Sequence, residues 1–307
     1  MLGVLKTVIA LAATLQVAVD APPPVFRGGV DVVRVATVVR DQRGRFVRDL
    51  QARDFEVTDG GRVRAIADFR QDAPGLSVAL LFDVSGSMEG QLSHARDAAA
   101  LLLGSLDASR DDAAIYRFDT SLVEDVPFTR GLRQLPPSMS KVVPFGATSL
   151  FDAVARTAER MSTGDGRRHA VVVFTDGLDN ASHLTPAQVS GIASAIDVPV
   201  YVIGIVSALD DPASATATPS AQKSPLAGEL ANLASWTGGA AWVASGPPQR
   251  AYVMRQIVDE LRHQYLIAIE SSTEPGWHAI TVKTRNRDLA AHARSGYIVG
   301  QSRPKAF

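Results

Sequence analysis

The sequence predicts an open α/β fold, a doubly wound and mostly parallel sheet, accompanied by a small β domain built from both ends of the chain. Three observations predict it. Bare apolar runs at Val78–Phe82, Ala170–Phe174 and Val200–Val206 alternate with amphipathic stretches, the pattern of parallel strands covered by helices on both faces. Ahead of them, from Val25 to about Arg70, apolar residues recur with period two, which marks half-buried antiparallel strands. Behind them, after Gln264, the period of two returns.

The elements can be justified in chain order. Val30, Val32, Val35 and Val38-Val39, then Phe46-Val47, Phe55 and Val57, then Val63, Ile66 and Phe69 give three or four short strands, punctuated by Gly44 and Asp59-Gly60-Gly61. After the first bare run, Leu92, Ala95, Ala99, Leu102, Leu103 and Leu106 fall at helical spacings of three and four. Ala113–Phe118 reads as a strand, Leu122–Phe128 as an edge strand, and Leu150–Met161 as a helix with Val154, Ala158 and Met161 on its apolar face. The later α/β part adds a helix at Pro186–Ile196, one at Leu226–Trp236, a strand at Ala240–Val243 and a last helix at Tyr252–Gln264. Closing strands follow at Tyr265–Ile269, His278–Lys283 and Ala291–Val299. The Ser/Ala/Thr/Pro-rich stretch Ser207–Ser224 reads as a surface loop. Strands that flank a complete α/β unit are expected to pair with each other. Residues 75–263 would then be inserted between a β segment at 25–72 and one at 265–301, with two unrelated β appendages as the alternative.

Composition narrows the chemistry. A chain of 307 residues, 46% hydrophobic and 21% charged, has room for about two folded domains and is not a disordered type. Lys plus Arg is 31 against Asp plus Glu 32, so nothing in the charge balance suggests a nucleic-acid partner. The absence of cysteine excludes disulfide scaffolds, thiolate-bound zinc, iron–sulfur clusters and thiol nucleophiles, leaving oxygen and imidazole as ligands.

At the N-terminus, Lys6 precedes thirteen uncharged and mostly apolar residues, Thr7–Val19. A spanning helix needs about 20, so residues 1–21 are read as a secretory signal, cut after Ala18 or Ala21. An uncleaved membrane anchor is the competing reading and a buried core helix stands behind it. No cysteine follows for lipidation. The expected location is therefore exported, periplasmic or extracellular, with the membrane involved only through an uncleaved N-terminus.

In open α/β sheets ligands bind beyond the carboxyl ends of the strands, so the residues directly after each apolar run are the informative ones. Asp83-Val84-Ser85-Gly86-Ser87 follows the first run and Thr175-Asp176-Gly177 follows the run at 170–174. Between them, Pro144-Phe145-Gly146-Ala147-Thr148 leads into a helix. Carboxylate and hydroxyl oxygens of this kind suit a hard divalent cation such as Mg²⁺, and a site with only two carboxylates leaves room for an acidic oxygen from outside.

Asp83-x-Ser85-x-Ser87, then Thr148, then Asp176 in a Thr-Asp-Gly step resemble the metal-ion-dependent adhesion site of von Willebrand factor type A domains. The resemblance covers about Gly75 to Arg262. The flanks, including Val47-Arg48-Asp49-Leu50, Asp54-Phe55-Glu56-Val57, Glu260-Leu261-Arg262-His263-Gln264-Tyr265 and Ala293-Arg294-Ser295-Gly296-Tyr297, resemble the bacterial exported subfamily labelled von Willebrand factor A-related. What the resemblance implies is a Rossmann-like fold and a metal-dependent protein-binding role. Ser85, Ser87 and Thr148 would be direct ligands of Mg²⁺, with Mn²⁺ or Ca²⁺ as alternatives, and Asp83 and Asp176 would often act through water. An Asp or Glu carboxylate of a partner protein would complete the coordination, and its engagement would reposition the last helix.

Blander roles compete at each position. Taken singly, Asp83 and Asp176 could cap helices or make turns. Asp179 and Asn180 are read as shaping their loop, and Glu89 as solvated. Trp236 and Trp242 are read as packing around Gly238-Gly239. His94, His169, His183, His263, His278 and His292 contain no His-x-x-x-His pair, and Arg167-Arg168 is too small a cluster for nucleic acid. No Gly-x-Ser-x-Gly elbow or phosphate loop occurs, and Ser85 stands where an aspartyl phosphotransferase would want a second Asp. The chain is expected not to be an enzyme, with a metal-dependent hydrolase and a metal-free structural module of the cell envelope as the rival classes.

Overall fold

Four strands open the described part of the chain, β1 (Val32–Arg40), β2 (Phe55–Asp59), β3 (Arg62–Arg64) and β4 (Ile66–Arg70). The α/β part follows as β5 (Leu76–Asp83), α1 (Leu92–Ser105), β6 (Asp112–Phe118), β7 (Leu122–Arg130), α2 (Leu150–Arg160) and β8 (Arg168–Thr175). It continues through α3 (Pro186–Ala195), β9 (Val200–Ile205), α4 (Gly228–Thr237), β10 (Ala241–Ala244) and α5 (Pro247–Arg262). Last come β11 (Tyr265–Glu270), β12 (Gly276–Thr284), β13 (Ala290–Ala293) and β14 (Gly296–Val299). These come from a computed structural model that describes residues 32–161, 166–177, 179–195, 198–206 and 228–299. The apolar N-terminal segment and the Ser207–Ser224 stretch lie outside the described residues.

The central sheet has the order β10-β9-β8-β5-β6-β7, parallel except for the antiparallel edge strand β7. Every residue of β5 and β9 is buried, which is why neither shows an alternating pattern. Alternate side chains instead divide between two cores. Val78, Leu80, Phe82, Val172 and Phe174 pack with α1 and α5 on one face, where the Phe82 and Phe174 rings stack at 5.1 Å. Ala79, Leu81, Val171 and Val173 pack with α2 and α4 on the other. Truncating the fully buried Leu80 to alanine would cost about 2–5 kcal/mol by leaving a cavity. From β5 the chain moves one way to β6 and later the other way to β8, so the sheet has its switch point at β5/β8.

The terminal strands form two four-stranded sheets, β13-β1-β11-β4 and β14-β12-β2-β3. Val32 to Thr37 pair antiparallel with Glu270 to Tyr265, joining the segment before the α/β part to the one after it. Between these sheets lies a third core of Val35, Val39, Phe55, Val57, Tyr265, Ile267, Ile269 and Tyr297. Phe55 packs edge-on against Tyr265 at 5.2 Å.

Two local expectations are corrected. The last helix starts at Pro247, not Tyr252, and ends at Arg262, not Gln264. Its two leading prolines occupy the first turn, where no backbone N–H is needed, and Gln249 Oε1 accepts from the Gly246 N–H at 3.1 Å. The expected single strand Ala291–Val299 is two strands in different sheets, divided at Arg294-Ser295. Close pairing of β14 on β12 requires Gly296, because a Cβ there would lie 2.4 Å from the Trp277 ring and 2.5 Å from the His278 carbonyl. Trp242 stacks on Tyr201 at 5.9 Å, whereas Trp236 packs against Trp277 of β12. Among the described residues no helix is long and apolar enough to cross a membrane.

Candidate metal centre

Asp83 is the last residue of β5 and is fully buried, placed there because the strand carries its backbone through the core to the sheet edge. Its Oδ1 accepts the Ser85 N–H at 2.9 Å, an Asx-type turn that bends the chain back over the strand end. One turn of 3₁₀ helix, Gly86–Met88, follows, and it brings the Ser85 and Ser87 hydroxyls within 3.2 Å of each other. Ser85 is buried and Ser87 exposed, so this side of the cluster is open.

Two other loops are bolted to this one. Phe145 N–H donates to Val84 O at 2.8 Å and Gly86 N–H to Gly146 O at 3.0 Å, tying the segment before α2 to the β5 loop. Buried Thr148 then meets the loop after β8: its N–H donates to Asn180 Oδ1 at 2.9 Å, and its carbonyl accepts from the Asn180 and Ala181 N–H groups. Asp179 Oδ2 accepts the Phe151 N–H at 3.0 Å and Ser182 Oγ accepts the Asp152 N–H at 3.2 Å, so that loop satisfies the first turn of α2. Asp83, Ser85, Ser87, Thr148 and Asp176 thus stand on three mutually hydrogen-bonded loops at the switch point of the sheet.

Electrostatically the cluster is unbalanced. Burial pushes the Asp83 carboxyl above the usual carboxylate range, and the nearby Asp176 charge adds to this, against hydrogen bonds from Ser85 and Thr175. Asp176 Oδ1 is buried without a hydrogen-bond partner. Among the described residues no group of three His, Cys, Asp or Glu side chains could hold a metal, and this cluster offers two carboxylates and three hydroxyls. An orphaned carboxylate oxygen beside a second buried carboxylate, rimmed by neutral hydroxyls, fits a hard divalent cation.

Sequence reasoning assigned no role to Thr175. Its hydroxyl donates to Asp83 Oδ2 at 2.7 Å and accepts the Gly177 N–H at 3.1 Å, orienting the first carboxylate from the neighbouring strand. The available signal was a polar residue closing an otherwise bare apolar run.

Residues 78–178, which include all five side chains, match the family model described as von Willebrand factor type A domain. Among solved structures the chain is similar to the conserved hypothetical protein BatB from Bacteroides thetaiotaomicron, at 18% identity and TM-score 0.45, over 61% of this chain and 98% of that one. It is also similar to a von Willebrand factor type A protein from Catenulispora acidiphila, at 12% identity and TM-score 0.48, over 89% and 76%. A third is proximal thread matrix protein 1 from the mussel byssus with a zinc-occupied MIDAS motif, at 17% identity and TM-score 0.48, over 66% and 50%. No curated protein matches the chain in sequence.

Proposed function

Because residues 78–178 belong to the von Willebrand factor type A domain family, we propose that the chain is a metal-ion-dependent protein-binding module of the bacterial cell envelope. Asp83, Ser85, Ser87, Thr148 and Asp176 would hold Mg²⁺, with Mn²⁺ or Ca²⁺ as substitutes. The bound cation would supply a concentrated positive charge on which an Asp or Glu carboxylate of a partner protein can land. The observation that carries the reading is the buried, partnerless Asp176 Oδ1 next to Asp83, whose own partners are an amide and a hydroxyl. Such an arrangement is costly empty and is relieved by a cation.

The chain's own residues do the positioning. Thr175 orients Asp83, Asn180 fixes the Thr148 backbone, and the open side at Ser87 leaves the partner an approach. A binding role is preferred to catalysis because two carboxylates and three hydroxyls together suit a hard cation with a position left for an outside carboxylate. A secretory signal at residues 1–21, with export to the periplasm or cell exterior, belongs to the same proposal.

Titration calorimetry with Mg²⁺ and Mn²⁺ tests it. Ser87→Ala and Thr148→Ala each delete one hydroxyl from a loop and are expected to lower the affinity at least tenfold with the fold retained by circular dichroism. Unchanged affinity in both variants, or no heat in the unmodified chain, leaves the metal-free structural module. Hydrolytic turnover abolished by Asp176→Ala would instead establish the enzyme.

A further inference from the structure

The surface beside the cluster is apolar at a place where folding does not need it to be. Val143 and Phe145 are each 80% exposed, among the most exposed large hydrophobic side chains of the described residues. The backbone of their loop is nonetheless tied down. Pro144 fixes φ between them, Gly146 turns the chain at φ 88°, and the two backbone hydrogen bonds to Val84 and Gly86 hold Phe145 against the Asp83–Ser87 loop. With the backbone held, binding costs the Phe145 ring only its own rotamer freedom, and aromatic side chains are enriched among interface hot spots.

Phe145 and Val143 form one wall of a groove of about 360 Å³, with Val84 and Val142 alongside and Arg117 and Lys141 as its cations. Lys141 makes no ion pair with a described residue. Arg117 is held by Asp125 at 3.0 Å. The groove's carboxylate, Asp119, is turned to Ser121, whose N–H and hydroxyl it accepts at 2.7 and 3.0 Å. The groove thus sets the apolar side chains of Val84, Val142, Val143 and Phe145 beside Lys141, and its Val84 lies in the chain between Asp83 and Ser85.

We propose that its occupant is an extended segment of a partner protein in which a bulky apolar residue stands one to three positions from the acidic residue that reaches the cluster. This rests on the metal-dependent reading above and adds the partner's second determinant. The spacing follows from the fold: Phe145 and Thr148 are three residues apart in sequence, a chain reach of at most about 10 Å. A carboxylate at the cluster and an apolar side chain over Phe145 and Val143 satisfy both halves of the surface, and a further acidic flank would meet Lys141.

The test is a display library of random peptides panned against the full chain in Mg²⁺ and eluted with chelator. Enriched sequences are expected to carry Asp or Glu with Phe, Leu, Ile or Trp one to three positions away. For a synthetic peptide of that consensus, Phe145→Ser should weaken binding about tenfold while calorimetric Mn²⁺ affinity is unchanged. Enrichment of acid alone, or a peptide affinity unaltered by Phe145→Ser, overturns the apolar determinant and leaves the metal reading standing. Peptides that stay bound in chelator, or a panning that enriches nothing, overturn the joint determinant, and the absence of Mn²⁺ heat in the unmodified chain overturns the metal reading itself.

Discussion

The Thr175 hydroxyl donates to Asp83 Oδ2 at 2.7 Å, linking the ends of two adjacent parallel strands whose residues are buried on either side of them. Removing the donor leaves a buried carboxylate oxygen unsatisfied, a loss of about 1–3 kcal/mol. Thr175→Val, which preserves shape, is expected to lower stability by that amount in urea unfolding with chelator present. Stability equal to that of the unmodified chain would show that the bond does not hold the site together.

Asp176 presents the opposite case, a buried oxygen with no donor beside a like charge. Asp176→Asn is therefore expected to leave the melting temperature in chelator equal or higher. The unmodified chain should gain about 2.7 kcal/mol at metal a hundredfold above its dissociation constant. The variant should gain far less, and an equal gain in both would remove Asp176 from the ligand set.

At the end of α5, His263 stacks on Phe46 at 4.6 Å, donates from Nδ1 to the Asp259 carbonyl at 2.6 Å and faces Arg48 with Nε2. Burial holds its pKa below the ordinary 6.5, and the Arg48 guanidinium adds to this against the Asp259 carbonyl. With a depressed folded-state value the unfolded chain binds the proton first, so the stabilisation is intact above pH 6.5 and is lost as the pH falls below it. The melting-temperature advantage over His263→Gln should shrink between pH 7.5 and pH 5.5, and a constant difference would contradict this.

Asp111 anchors the same helix end to the sheet. Its buried carboxylate accepts the Leu76 N–H at 2.9 Å, the Asp107 N–H at 2.7 Å and Arg262 Nη2 at 3.0 Å. Asp111→Ala leaves both amides without their acceptor and Arg262 with the Ser105 carbonyl in place of its carboxylate, and is expected to cost about 3–5 kcal/mol in denaturant unfolding. A loss under about 1 kcal/mol would mean that the neighbouring contacts carry the junction.

Local chemistry made much of this molecule readable. Bare runs such as Val78–Phe82 and Ala170–Phe174 announce strands because each residue's own burial is written into its side chain, and Asp83 and Asp176 are conspicuous where those runs stop. Helix ends were less legible. Pro247-Pro248 looks like a break until the backbone shows both prolines in a first turn, and Arg294-Ser295 looks like strand until its two halves join different sheets.

By itself, then, the sequence determined the alternation of strands and helices and which oxygen-bearing residues end the strands, since both depend on neighbours along the chain. Tertiary structure decided that β1 meets β11, that Thr175 serves Asp83, and that the Thr148 loop is tied to both others. It also decided that the apolar side chain of Phe145 faces solvent. These outcomes depend on contacts between residues far apart in the chain, and hydrophobicity records only a side chain's preference for burial, not the partner or the surface that the folded backbone gives it.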